Sequence, residues 1–288
     1  MHPLIPYFEP IKFTLPFEIL GKERSIHGFG ILVALGFIFG AQLAMRKCKR
    51  DGLDPEAINR LLTWLVVGVF VGGHIGYALM YEPKEYLQNP MLFLRVWEGL
   101  SSFGGFIACA FLTWWFFRKE KLPFWPYADN VAYGLSLGWF LGRMGCFVAH
   151  DHPGNYSSFW LAVPGMCPTD TGRADPLVAC HDMGFYEGLF SLALLGFFLF
   201  MDRKPRFQGF YVAWMATLYA PVRFLMDFLR HPDVDARYAG LTPAQYGSVI
   251  MGVVGVYLIL KQKNTPPVRS LLPPPEAPAP VAEPTPSP

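Results

Sequence analysis

The sequence predicts an all-α polytopic membrane protein with seven transmembrane helices. Hydrophobic residues make up 52% of the 288 and charged residues only 16%, against roughly 25% charged in an ordinary soluble domain. Seven apolar stretches recur along the chain, most of them close to the ~20 residues that a helix needs to cross a bilayer. Lys and Arg gather in alternate short loops. The net charge of +2 excludes a polybasic nucleic-acid binder and an acidic tail protein. Five cysteines without a CxxC pair argue against a zinc ribbon or an iron–sulfur protein.

Residues 1–25 read as an interfacial N-terminal arm. Pro3 and Pro6 interrupt its start and no basic leader precedes an apolar run, so a cleaved signal peptide is not expected. The first span, 28–45, carries no charge, and the second, 61–81, only the ionisable His74. The third, 101–117, is short and glycine-rich with an apolar approach at 91–97, which suits a broken or re-entrant entry. Spans four to seven cover 127–148, 183–201, 208–229 and 244–260. The membrane domain is thus expected over 26–261, with an outer loop at 149–182. Residues 262–288 form a Pro-rich tail that cannot bury a core and is expected to be disordered. No internal repeat is evident, which weakens an inverted-repeat transporter reading.

Orientation follows from the basic residues. Fourteen lie in the loops after spans one, three, five and seven, and eight on the other side. The N-terminus is therefore expected outside and the C-terminus in the cytoplasm.

The informative residues are those that a bilayer disfavours. Arg143 in span four and Arg223 in span six both fall in the outer part of the membrane on this orientation, where an arginine faces a polar cavity or a partner. Tyr219, Arg223, Asp227 and Arg230 share a helical face, and Tyr186 and Glu187 lie near the outer end of span five. Arg223 and Asp227 can be a structural ion pair at i, i+4, and Arg143 can snorkel to the interface. Alternatively, the two arginines form a fixed positive site suited to a phosphate. His27, His74, His150, His152, His181 and His231 all fall in the outer half. They serve as ordinary loop histidines, as proton carriers, or, for His150, His152 and His181, as metal ligands. Cys167 and Cys180 share the outer loop, where a bridge would hold His181 near the membrane; free thiols are the alternative. Cys109 and Cys146 suit small packing positions within spans, with Cys146 one helical turn from Arg143.

The run Gly142-Arg143-Met144-Gly145-Cys146-Phe147, followed by Asp151 and Gly154, resembles the glycine–arginine signature of prolipoprotein diacylglyceryl transferases. Further matches keep the family's order: residues 26–31 (IHGFGI), Gly76-Tyr77, Trp97-Glu98-Gly99, Ser102-Phe103-Gly104-Gly105, His181 with Tyr186-Glu187, then Tyr219, Arg223-Phe224, Asp227, Arg230 and Pro232-Asp233. The resemblance implies an enzyme of the bacterial cytoplasmic membrane with its active site facing the outer leaflet. It would take phosphatidylglycerol, transfer the diacylglyceryl group to the lipobox cysteine thiol of a prolipoprotein, and release glycerol phosphate, without a cofactor and without nucleic acid. It assigns substrate binding to Arg143 and Arg223, supported by Tyr219, Asp227 and Arg230. Cys146, Asp151, Gly154, Tyr186, Glu187, Gly104 and Gly105 complete the candidate set.

Four positions depart from the family pattern. Phe103 replaces a histidine, Cys146 an asparagine, Asp151 a glutamate and Phe29 a tyrosine. The base then falls to His150, His152 or His181, or to substrate phosphate or water. A catalytically silent phosphatidylglycerol-binding relative and a metal-dependent membrane hydrolase stand as alternatives.

Overall fold

The computed structural model describes residues 4–14, 25–95, 99–165, 167, 178–231 and 237–268, with Ile26, Ser102 and Phe103 described by backbone alone. Trp97-Glu98, Pro232-Asp233 and the tail from 269 onward lie outside the described residues.

Eight α-helices are described. Helix α1 (Gly28–Arg50) turns tightly into α2 (Pro55–Met80), where Asp54 caps the start by accepting from Glu56 N–H and Pro55 occupies the first turn. A short α3 (Pro83–Gln88) and a 3-10 turn (Pro90–Leu94) lead to α4 (Ser102–Glu120). Buried His74 of α2 pins this approach, its ring nitrogens meeting the carbonyls of Gly99 at 3.3 Å and Leu92 at 3.1 Å. Helix α4 is continuous, so the expected broken or re-entrant entry is corrected. The irregular backbone ends before the helix, and Ser101 caps its start through Gly104 N–H at 3.3 Å. There follow α5 (Phe124–Ala149), α6 (Met183–Met201), α7 (Phe210–Met226) with a 3-10 turn (Asp227–Leu229), and α8 (Pro243–Gln262).

Six of these helices are long and apolar enough to cross a membrane, against the seven expected. Helix α4 falls short because Arg118, Lys119 and Glu120 close its 19 residues. Exposed apolar side chains are dispersed over the bundle, among them Phe37, Phe70, Phe111, Leu199 and Val253, as expected where the surrounding medium is hydrocarbon.

The helices pack in pairs. Helix α1 runs along α5, α2 along α4, and α7 along α8, with α6 against α5. The α1/α5 and α2/α4 pairs join through a cluster at their basic ends: Ala44, Cys48, Ala57, Ile58, Leu61, Phe116, Phe117 and Tyr127. Nearby, buried Lys47 bridges Asp51 at 2.7 Å and Asp202 at 3.1 Å. Asp129 of α5 accepts from the backbone N–H groups of Gly209, Tyr211 and Val212, satisfying donors that the start of α7 leaves orphaned.

At the opposite end sit two small antiparallel sheets. One pairs β1 (Lys12–Thr14) with β2 (Ser25–His27); the other has β5 (Ala179–Asp182) between β3 (Pro153–Tyr156) and β4 (Val163–Pro164). A disulfide joins Cys167 to Cys180, with 5.5 Å between Cα atoms. The arm reaches this layer through Leu4 N–H, which donates to Trp160 O at 2.9 Å.

Candidate active site

The C-terminal turns of α5 supply Trp139, Arg143 and Cys146 on one face, as their spacing of four and three residues requires. Helix α6 lies close enough to set its Glu187 against them. A Cβ at Gly184 would stand 2.9 Å from Cys146 Cβ and 3.0 Å from Phe147 N, so the helices touch there only because glycine has none. Asp182 caps α6 through Phe185 N–H at 2.8 Å, and burial pushes its carboxyl up to about 7.

Arg143 meets buried Glu187 through Nε at 2.8 Å, and its guanidinium lies over Trp139, 5.0 Å from the ring centroid. Its Nη1 points to Cys146 Sγ at 3.9 Å. Tyr219 of α7 donates its hydroxyl to the same glutamate. Arg223 pairs with Asp227 at 2.7 Å, and Arg230 approaches that carboxylate at 3.6 Å. Asp227 is fully buried and also accepts from Thr242, the cap of α8. Both arginines are therefore paired: Arg223 in the i, i+4 pair that the sequence offered and Arg143 with a carboxylate on a neighbouring helix. Among the described residues, three guanidiniums and the carboxylates of Glu187 and Asp227 meet here. The Glu187 carboxylate lies in the field of Arg143, Arg223, His152 and Arg230.

A cavity of about 560 Å³ runs between the α1/α5 and α2/α4 pairs. Its walls are apolar, from Phe29, Phe37, Phe106 and Leu135 at one part to Ala44 and Leu62 at another, and its polar side chains are Arg143, Cys146 and His152. Phe29, Phe37, Phe106 and Leu135 are all exposed, so the cavity opens sideways toward the lipid.

The three candidate histidines separate. His150 takes the left-handed position that ends α5 (φ 53°), and its Nε2 meets Phe8 O at 2.9 Å while its ring packs on Phe8 and Tyr7. It holds the N-terminal arm and is absent from the cavity wall. His181 bonds the Tyr186 hydroxyl at 2.9 Å, and burial lowers its pKa. His152 alone of the three lines the cavity. Its hydrogen bond to Asp151, then Cys146, raises its pKa to about 9.

Three of the candidate glycines, Gly104, Gly105 and Gly154, lie away from the cavity wall. Gly104 packs α4 on α2, where an added Cβ would lie 2.4 Å from Gly72 O and 2.7 Å from Gly76 Cα; neither it nor Gly105 lines the cavity. Gly154 bridges to the Arg230 backbone, and a Cβ there would stand 2.5 Å from Leu229 O. Gly104 and Gly154 serve close packing, with Gly154 tying the loop after α5 to the end of α7.

Sequence reasoning missed Trp139, whose buried Nε1 has no hydrogen-bond partner among the described residues. Its place one turn before Arg143 was the available signal. Asp129 was also passed over, although a carboxylate inside an apolar span is as costly as the arginines that were noticed.

The family model described as prolipoprotein diacylglyceryl transferase matches residues 16–261. A phosphatidylglycerol–prolipoprotein diacylglyceryl transferase of Chromohalobacter salexigens is 32% identical over 273 residues, covering 91% of this chain and 95% of the relative. Proteins of the same name from Stenotrophomonas maltophilia and Cereibacter sphaeroides are 31% and 29% identical, covering 93% and 90% of this chain and 97% and 98% of the relatives. With a match that takes in all eight helices but the last residue of α8, this chain belongs to the prolipoprotein diacylglyceryl transferase family.

Proposed function

We propose that the chain transfers the diacylglyceryl group of phosphatidylglycerol to the lipobox cysteine thiol of prolipoproteins, releasing glycerol phosphate. The observation that carries this reading is the laterally open apolar cavity with Arg143, Cys146 and His152 as its polar lining. Hydrocarbon walls suit acyl tails, and a cation among them suits the phosphate that joins the two parts of the lipid.

In the reaction, the acceptor thiolate attacks the glyceryl carbon that bears the phosphate. The carbon–oxygen bond breaks and its electron pair leaves on the phosphate oxygen. Arg143, held through Nε by Glu187, stabilises that developing charge without having to reorient. Arg223 and Arg230 add to the positive field around Glu187, and Trp139 offers its spare indole N–H to an oxygen of the lipid. The acceptor thiol gives its proton to water beside Cys146, Asp151 and His152.

On this reading α4 is the third of seven spans, the N-terminus faces outward, and the polar end lies at the outer leaflet of the bacterial inner membrane, where exported prolipoproteins arrive. Complementation tests it. In a strain depleted of its own transferase, the wild-type chain should lipidate a reporter prolipoprotein and Arg143→Ala should not. A membrane-expressed wild-type chain that binds phosphatidylglycerol but yields no thioether would instead establish a silent lipid-binding relative.

A further inference from the structure

Three side chains of metal-binding type converge just beyond the last turn of α5. A ligand atom from each of Cys146, Asp151 and His152 lies within 4.8 Å of the other two. The chain is brought back over the helix end by His150 in the left-handed position, with His150 N–H donating to Phe147 O at 3.2 Å and Asp151 N–H to Cys146 O at 3.5 Å. Tetrahedral zinc, with bonds of about 2.0–2.3 Å, separates sulfur, nitrogen and oxygen ligands by about 3.3–3.7 Å, so the Asp151–His152 hydrogen bond must open, with side-chain shifts of about an ångström, to admit the ion.

The donor chemistry narrows the ion. A thiolate, an imidazole and a carboxylate suit zinc, whereas magnesium and calcium take oxygen ligands. Three protein ligands with a fourth position open are the arrangement of catalytic zinc, and two of the three, Cys146 and His152, line the cavity. Two anionic ligands offset the ion's charge, while neighbouring Arg143 is already matched by Glu187.

We propose that Cys146, Asp151 and His152 bind a zinc-like divalent cation whose open position takes the acceptor cysteine thiol. The proposal rests on the transferase reading. The acceptor sulfur loses its proton to water as it bonds to the metal. Its lone pair then forms the bond to the glyceryl carbon, glycerol phosphate departs with the electrons of the broken carbon–oxygen bond, and the neutral thioether, a weak ligand, leaves the metal.

Cobalt(II) titration of the purified, metal-stripped full chain in nanodiscs tests the site, because cysteine thiolate bound to cobalt gives a charge-transfer absorption band. The expected result is a band that saturates at one equivalent, persists in the Cys48→Ser/Cys109→Ser double variant, is lost in Cys146→Ser, and binds cobalt more than about tenfold more weakly in His152→Gln and Asp151→Ala. No band in the wild-type protein, or a band that survives Cys146→Ser, overturns the proposal. Thermal melting of each variant shows whether it is folded, and His152→Gln keeps the test decisive where Cys146→Ser is not. Transfer to a lipobox peptide from phosphatidylglycerol vesicles is measured in parallel, with the metal removed and with zinc restored. Activity that is indifferent to stripping in a protein with no cobalt band overturns the metal and leaves the transferase standing. A band without transfer under any condition supports the site and rejects the transferase reading.

Discussion

Glu187 holds Arg143 by its Nε edge, and replacing it asks how much of the transfer rate depends on that orientation. Glu187 is 3% exposed and the Arg143 side chain 18%, with 2.8 Å between them. Losing one preorganised stabiliser of transition-state charge costs about 2.7–4 kcal/mol, and the partial exposure of Arg143 places this case near the lower end. Glu187→Leu should therefore lower kcat roughly 100-fold, at about 1.4 kcal/mol per factor of ten. Glu187→Gln keeps one amide oxygen to accept from Nε and turns its NH2 to the Tyr219 oxygen, which then accepts, and it loses the charge assistance, worth about 1–1.5 kcal/mol, or roughly tenfold. In both variants KM for phosphatidylglycerol should stay level or fall, because a less neutralised guanidinium still attracts the phosphate. The assay is steady-state transfer to a fluorescent lipobox peptide in vesicles of varied phosphatidylglycerol content. A folded Glu187→Leu protein with kcat within a factor of two of wild type would refute the positioning role, and a raised KM with unchanged kcat would recast Glu187 as part of lipid binding.

Trp139→Phe keeps the ring under Arg143 and removes one indole donor, so lipid transfer should lose about fivefold in kcat/KM, the value of one hydrogen bond of about 1 kcal/mol; the same vesicle assay reads it. Asp182 has a carboxyl raised from 3.8 to about 7 by burial. Because the folded value exceeds the unfolded one, its contribution to stability is whole below pH ~4 and is lost as pH rises through about 7, up to about 4 kcal/mol. The gap in thermal midpoint between wild type and Asp182→Asn should accordingly move against the wild type across that interval, and a gap that does not change with pH rejects this account. The Cys167–Cys180 bridge spans a sequence separation of 13, a loop whose closure is worth about 3 kcal/mol. Its removal by Cys167→Ser/Cys180→Ser should lower the thermal midpoint and speed hydrogen exchange in β5. Gly184→Val places methyl groups where Cys146 and Phe147 already stand; it should separate α6 from α5 and reduce transfer at least as much as Glu187→Gln, with membrane expression measured to show that the chain is inserted.

The spans were legible because apolar runs of bilayer length have no other economical use, and Arg143 and Arg223 because charge within such runs is costly. Partners between helices were not. The bond from Arg143 to Glu187 depends on how closely α6 approaches α5, and that distance is set by Gly184. The convergence of Cys146 with Asp151 and His152 depends on a left-handed residue at 150, a conformation signalled by glycine far more clearly than by histidine. Gly104 and Gly105 were placed in the site because a sequence motif does not say whether a glycine makes room for a ligand or for a helix. In α4 the room is taken by α2.

The cavity wall on α1 extends from Phe29 to Ala44, about 22 Å at 1.5 Å per residue, which is longer than half of a ~30 Å hydrocarbon core. An acyl tail lying in it would leave one hydrocarbon medium for another, so the ~0.8 kcal/mol per methylene that drives burial from water is absent. Tails thus contribute fit and little net affinity. Choice among the lipids of the leaflet, which share their tails, falls to the few polar atoms around Arg143, and a change of head group should be felt there before a change of chain length is felt anywhere else.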